Sequence, residues 1–130
     1  MAEQFFTNLM FEGDAEAALE FYLSIFPDSA VITSQRYRPD ETMAGELKLA
    51  QLRLGEHRII LTNSPIDHDF SLNPSASIFV LCRSGGELNR YAEALSKGGR
   101  YIMPVATYPF SRRYGWVEDR FGVSWQLNLP

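Results

Sequence analysis

Few side chains in this 130-residue chain have the means to do chemistry. There are two histidines, His57 and His68, and one cysteine, Cys82. No CxxC pair and no HExxH run occurs, so no self-contained zinc motif is present. His68 stands between Asp67 and Asp69. A histidine flanked by carboxylates can pass a proton, although an exposed charged loop places the same residues together. His57 follows Gly55-Glu56 and reads as a turn residue. Cys82 ends the apolar run from Ile78 and reads as a buried small hydrophobe. Glu118-Asp119 is a pair in sequence only: adjacent strand residues point to opposite faces, so the two carboxyl groups do not converge. Asp119 is expected to start the turn through Phe121-Gly122. Tyr108, Phe110, Tyr114, Trp116 and Trp125 crowd the last third beside Arg112-Arg113. Aromatic faces with nearby cations can wall a site for a planar or anionic ligand. By strand phase Trp125, opposite Gln126, belongs to the core, while Phe110 and Trp116 are read as the rim of such a site.

Positioning these groups falls to a short list of elements. Phe5–Phe11 predicts a strand. Asp14 predicts a helix N-cap, with Ala17, Ala18, Phe21, Tyr22 and Ile25 on one face before Pro27 stops the helix. Glu16, Glu20 and, later, Lys97 fall on solvated helix faces. Strands follow at Ser29–Arg38 (Val31, Thr33, Gln35 and Tyr37 on one face), Glu46–Leu54 and Arg58–Asn63, the last two joined at Gly55-Glu56. Ser64–Asn73 reads as a linker. The pattern then restarts: a strand at Ala76–Arg83, a helix carrying Leu88, Tyr91, Ala92 and Leu95, and a stop at Gly98-Gly99. A short strand at Tyr101–Val105, an aromatic-basic loop at Tyr108–Arg113, and a hairpin of Tyr114–Asp119 and Val123–Leu129 complete it. Each half is βαβββ, an internal repeat. The expected fold class is α+β: two βαβββ modules, about 1–64 and 74–130, forming a concave mixed sheet with the helices outside, as one domain.

Composition narrows the function. Hydrophobic residues make up 45% and charged residues 22%, ordinary values for a globular protein. A net charge of −4 with scattered Lys and Arg argues against nucleic acid as a partner. The amino-terminal run MAEQFFTNLMFEGDAEAA lacks a signal peptide's basic start, and no apolar run approaches a membrane span of ~20 residues. A lone cysteine fits a reducing compartment. A cytoplasmic protein with no membrane partner is expected.

Three segments carry a family likeness: FEGDAEAALEFYLSIFPDS (Phe11–Ser29), LRLGEHRIILTN (Leu52–Asn63) and YGWVEDRFGVSWQLNLP (Tyr114–Pro130). The chain resembles the vicinal oxygen chelate (glyoxalase/bleomycin-resistance/dioxygenase) superfamily, and within it the PhnB-like branch often labelled 3-demethylubiquinone-9 3-methyltransferase. The resemblance implies the glyoxalase fold, a small-molecule cavity and a homodimer. A Rossmann-type methyltransferase carries a glycine-rich strand-to-helix turn, whereas Gly85-Gly86 and Gly98-Gly99 are isolated pairs. Metal-using members of the superfamily bind their ion at four strand positions, which the resemblance places at Thr7, Ile60, Ser77 and Gln126. Ile60 has no donor atom, and the other three are neutral, so neither a metal nor a cofactor is expected. Thr7, Ser77 and Gln126 are then candidate polar anchors for a ligand, with Phe110 and Trp116 at its rim. The expected function is metal-independent binding of a small molecule. The alternative is a metal-independent enzyme on a small polar substrate, using His68 or Arg112 with Gln126 and Ser77.

Overall fold

The computed structural model describes residues 3–130, so the first two residues of the amino-terminal segment lie outside it. Ten elements follow in order: β1 (Thr7–Phe11), α1 (Ala15–Ile25), β2 (Ser29–Arg36), β3 (Leu47–Leu54), β4 (His57–Asn63), β5 (Ser77–Leu81), α2 (Gly85–Ser96), β6 (Arg100–Tyr108), β7 (Ser111–Glu118) and β8 (Ser124–Leu129). The described residues fall into two compact units, divided between Phe70 and Ser71. Each unit is βαβββ with its own four-stranded sheet, in the order β1-β4-β3-β2 and β5-β8-β7-β6. In each, the first strand runs parallel to the last, and the remaining pairs are antiparallel.

In the first unit α1 covers one sheet face. Its buried stripe is Ala15, Ala18, Leu19 and Tyr22, spaced as a helix requires. This stripe is rotated from the expected one: Ala17 is exposed and Leu19 is buried. Ala50, Leu52, Ile59 and Leu61 are buried with it, all fully inaccessible. Asp14 occupies the N-cap position but its side chain makes no cap hydrogen bond. Asn63 acts as a latch instead. It is 3% exposed, accepts from the Gly13 amide at 2.6 Å and donates to the Leu47 carbonyl at 2.9 Å. The face expected for Val31, Thr33, Gln35 and Tyr37 is broken by a bulge. Val31 pairs with Leu52 but Thr33 with Gln51, so the two lie on opposite faces.

In the second unit α2 packs against β7 and β8. Leu88, Ala92 and Leu95 from the helix are buried with Val117, Trp125 and Leu127. Ser84 caps α2 by accepting from the Glu87 amide at 3.1 Å, and Glu87 accepts from the Arg83 amide at 3.1 Å. The two bonds form a variant of the capping box, in which the carboxylate reaches the amide one residue before the cap rather than that of Ser84 itself. Gly98, with φ of +73°, turns the chain out of the helix. Gly99 is needed for space: a Cβ there would stand 2.2 Å from the Glu118 carbonyl oxygen. The strand expected to end at Val105 continues to Tyr108, and the expected Tyr108–Arg113 loop is only a tight turn at Pro109-Phe110. Cross-strand pairing of Ala106 with Tyr114 and Tyr108 with Ser111 draws both sides into a hairpin.

Candidate functional site

Side chains alternate across a strand, so each sheet has one helix-covered face and one open face. On the second sheet, Trp125, Leu127 and Val117 take the covered face, which fixes their neighbours on the open one. Three cross-strand rows result. One is Ser77, Ser124, Glu118 and Arg100. The next is Phe79, Gln126, Trp116 and Met103, and the third is Leu81, Asn128, Tyr114 and Ala106.

Hydrogen bonds tie the rows together. The Ser77 and Ser124 hydroxyls lie 2.6 Å apart. The Trp116 indole donates to Ser124 Oγ at 2.8 Å, which uses the ring's single polar atom and leaves its π face. The Tyr114 hydroxyl donates to Gln126 Oε1 at 2.6 Å. The amide nitrogen of Gln126 has no partner among the described residues, and neither has the Asn128 side chain. Burial, and then the nearby Tyr108 hydroxyl, push the Tyr114 phenol above its ordinary range. It therefore stays a protonated donor at neutral pH. Phe110 caps the end of this array. It is 63% exposed, stacks on Tyr108 at 5.5 Å and meets Tyr114 edge-on at 5.0 Å.

Three of the five anchor candidates, Ser77, Trp116 and Gln126, thus share the open face of the second sheet, and Phe110 lies in its β6–β7 turn. Thr7 belongs to the first unit, where it pairs with Ile59 and shares that buried residue's side. Asn8, one position on, pairs with Ile60 on the open side. The phase carried over from the family motif is therefore one residue out at β1. The same register tests the four metal positions. Ser77 and Gln126 share a face, but Thr7 and Ile60 do not. Ile60 offers no donor, Ser77 is engaged with Ser124, and the Gln126 oxygen accepts from Tyr114. None of the four positions supplies an anion to offset the dehydration of a divalent cation, and the Glu118 carboxylate in the Ser77 row is paired with Arg100. These residues do not suit a metal ion. Among the described residues, no group of three or more His, Cys, Asp or Glu side chains gathers elsewhere.

The other sequence candidates are absorbed by the framework. Asp119, 2% exposed, accepts from the Phe121 amide at 2.9 Å, the Val123 amide at 3.1 Å and the Trp125 indole at 2.9 Å. It holds the β7–β8 turn. Glu118 pairs with Arg100 at 3.3 Å. His57 is the exposed first residue of β4 rather than part of the turn. His68 Nε2 lies 3.1 Å from Ser64 Oγ, and its ring packs on Phe70 at 4.9 Å. Neither flanking aspartate bonds its ring. Arg112 donates to the Pro130 carbonyl, and Arg113 to Asn89 at 2.8 Å on the helix side. Burial, then the Glu87 carboxylate, push the Cys82 thiol up to about 11. It is a core residue with almost no thiolate. Glu16, expected on a solvated face, bonds Arg36 through both carboxylate oxygens.

Sequence reasoning missed Ser124, Phe79, Leu81 and Asn128. The signal was present: counting in twos from Ser77 gives Phe79 and Leu81, and from Gln126 gives Ser124 and Asn128.

A family model described as 3-demethylubiquinone-9 3-methyltransferase matches residues 3–128. The chain belongs to this family. A solved PhnB protein from Bacillus cereus, described as a putative 3-demethylubiquinone-9 3-methyltransferase, is 35% identical. The match covers 98% of this chain and 100% of that one, with a TM-score of 0.93. Protein PA1353 from Pseudomonas aeruginosa is 22% identical over 98% of both chains, with a TM-score of 0.85. The fosfomycin resistance protein FosX from Mesorhizobium loti is 13% identical over 100% of this chain and 93% of its own, with a TM-score of 0.67. At those lower identities the likeness is one of fold. This PhnB-family chain therefore has the α+β glyoxalase/bleomycin-resistance fold. No curated protein matches it in sequence. Among the described residues, no helix is long and apolar enough to cross a membrane.

Proposed function

We propose that this PhnB-family protein is a metal-independent, cytoplasmic small-molecule binder whose two units act as one domain. The open face of the second sheet supplies the anchors Ser77, Trp116 and Gln126, the β6–β7 turn supplies Phe110, and Thr7 is the one candidate in the other unit. The observation that carries this reading is the pair formed by Tyr114 and Gln126. Tyr114 holds the Gln126 carboxamide by its oxygen, so the amide N–H groups remain to meet a ligand. Around it stand Trp116, Phe110 and the exposed Phe79, the apolar lining with a few fixed polar groups that small-molecule sites use.

Methyl transfer, the chemistry in the family's description, finds no support at the helix starts. The β5–α2 connection, where a nucleotide-type cofactor would be cradled, is closed by the Ser84–Glu87 box. The lone, buried Cys82 goes with a reducing compartment. The reading includes a homodimer, to which the exposed Val31 and Ile32 of edge strand β2 would contribute.

The test is an amide and indole NMR titration with a library of small neutral and charged aromatic compounds. Binding here shifts the Trp116 indole and the Gln126 side-chain amide and spares the Trp125 indole. Hits that move only residues of the first unit, or none at all, would defeat the assignment.

A further inference from the structure

On the reading that this face binds a small molecule, we propose that it selects an uncharged, planar ligand whose edge carries a carbonyl beside an N–H. The proposal rests on what the two central rows contain. Each reads apolar, carboxamide, aromatic: Phe79–Gln126–Trp116 and Leu81–Asn128–Tyr114. Two carboxamides, two residues apart on β8, stand side by side between an apolar edge and an aromatic one. Phe79 and Leu81 are 54% and 67% exposed, so the apolar edge is uncovered.

The hydrogen-bond inventory sets the ligand's polarity. The Trp116 N–H is used by Ser124, and the two serines satisfy each other. Gln126 has one lone pair of its oxygen taken by Tyr114, while both its N–H donors are uncommitted among the described residues. Asn128 has both its oxygen and its amino group to offer. A complementary ligand places a carbonyl oxygen at Gln126 and an N–H at the Asn128 oxygen, with its ring along Trp116.

Charge excludes the obvious rivals. No ionised side chain stands in either central row at neutral pH. Of the flanking charges, Arg100 and Glu118 neutralise each other at 3.3 Å. Arg112 sits at the outer end of β7 and already serves the Pro130 carbonyl. An anion or cation laid between Phe79 and Trp116 would lose hydration with no opposite charge to replace it. An anion drawn instead to Arg112 would leave the carboxamides unused.

Calorimetric titration with 2-naphthamide and its isosteric anion 2-naphthoate tests this. The amide is expected to bind at least about tenfold more tightly, a gap of about 1.4 kcal/mol. Asn128→Leu should weaken the amide about five- to tenfold and naphthoate less, since naphthoate has no N–H for the Asn128 oxygen, and Gln126→Leu should weaken the amide by as much. The Asn128 side chain bonds no group among the described residues, its backbone carbonyl accepting from the Cys82 amide, so its variant reports even if freeing the Tyr114 hydroxyl unsettles Gln126→Leu. Gln126→Glu should also lose the amide while the far-UV dichroism is kept. Naphthoate binding as tightly as naphthamide, and lost in Arg112→Ala, would overturn the ligand class but leave the face as the binding site. If neither probe binds or shifts the Trp116 indole, both readings fall. A self-association seen by sedimentation and abolished in Leu81→Asp would mean that a second copy occupies the face, which also overturns the proposal.

Discussion

The Tyr114 hydroxyl and the Gln126 side-chain oxygen meet at 2.6 Å across β7 and β8, and this bond decides which end of the glutamine faces outward. Tyr114 is 5% exposed and Gln126 half-buried, so the donor is the better shielded partner. Removing the hydroxyl should free the amide to rotate without collapsing the sheet. Tyr114→Phe is expected to cost about 1 kcal/mol in chemical denaturation, the net worth of one such bond. Broadening of the Gln126 side-chain amide resonances would report the lost orientation; unchanged resonances would show that other contacts fix it.

The same tyrosine carries a pH signature. Its phenol is raised by burial, so on raising pH the unfolded chain's tyrosine ionises first. Tyr114 is therefore neutral in its effect on stability below pH ~10 and should destabilise the fold above it. Burial raises Tyr91 as well, so ultraviolet difference titration should find two late-titrating tyrosines, one of which disappears in Tyr114→Phe.

Asp119 presents a contrast, since all its bonding is internal. Asp119→Ala strands two backbone amides and the Trp125 indole and should cost about 2–4 kcal/mol. Asp119→Asn keeps the Oδ1 role but sets an amino group against the indole N–H, so it should be destabilised too. Thermal unfolding followed at Trp125 reads both; a change of only a few tenths of a kcal/mol would remove Asp119 as the turn's anchor.

Two glycines of the second unit should behave oppositely. Gly99→Ala forces a methyl against the Glu118 carbonyl at 2.2 Å and cannot be accommodated without moving backbone. Gly86 lies in α2, where a methyl meets nothing nearer than an Arg90 nitrogen at 3.6 Å. Gly86→Ala should stabilise by about 0.4–1 kcal/mol, and Gly99→Ala should lower the melting temperature sharply.

Much of this was legible in the sequence, for identifiable reasons. Both βαβββ repeats follow from hydrophobic period and turn residues, and Trp125 and Asp119 took the core and turn roles their phase and neighbours implied. What escaped was local phase. The bulge after Val31 swaps strand faces without changing composition. Thr7 follows from position against the family motifs, and a placement one residue out moves a side chain to the other face of β1. The Tyr108–Arg113 segment looked like a loop because Pro109 interrupts it, but pairing with β7 outweighed that signal. Asn128 escaped because the family's metal positions include Gln126 but not its same-face neighbour two residues on.

Cys82 offers a plain check on the reducing, non-catalytic reading. With its thiol pushed up to about 11, roughly one molecule in a thousand is ionised at pH 8. Iodoacetamide should modify the native protein far more slowly than the urea-unfolded one, and the native rate should climb with pH through that range. Rapid labelling at pH 7 would reveal an activated cysteine instead.

Native mass spectrometry of protein purified without chelator or metal-affinity resin is the most direct test of metal-independent binding. The expected spectrum shows the apo mass, alone or with an organic adduct that chelator leaves in place. About one divalent metal per chain, removed by chelator with loss of thermal stability, would contradict the donor chemistry of Thr7, Ile60, Ser77 and Gln126.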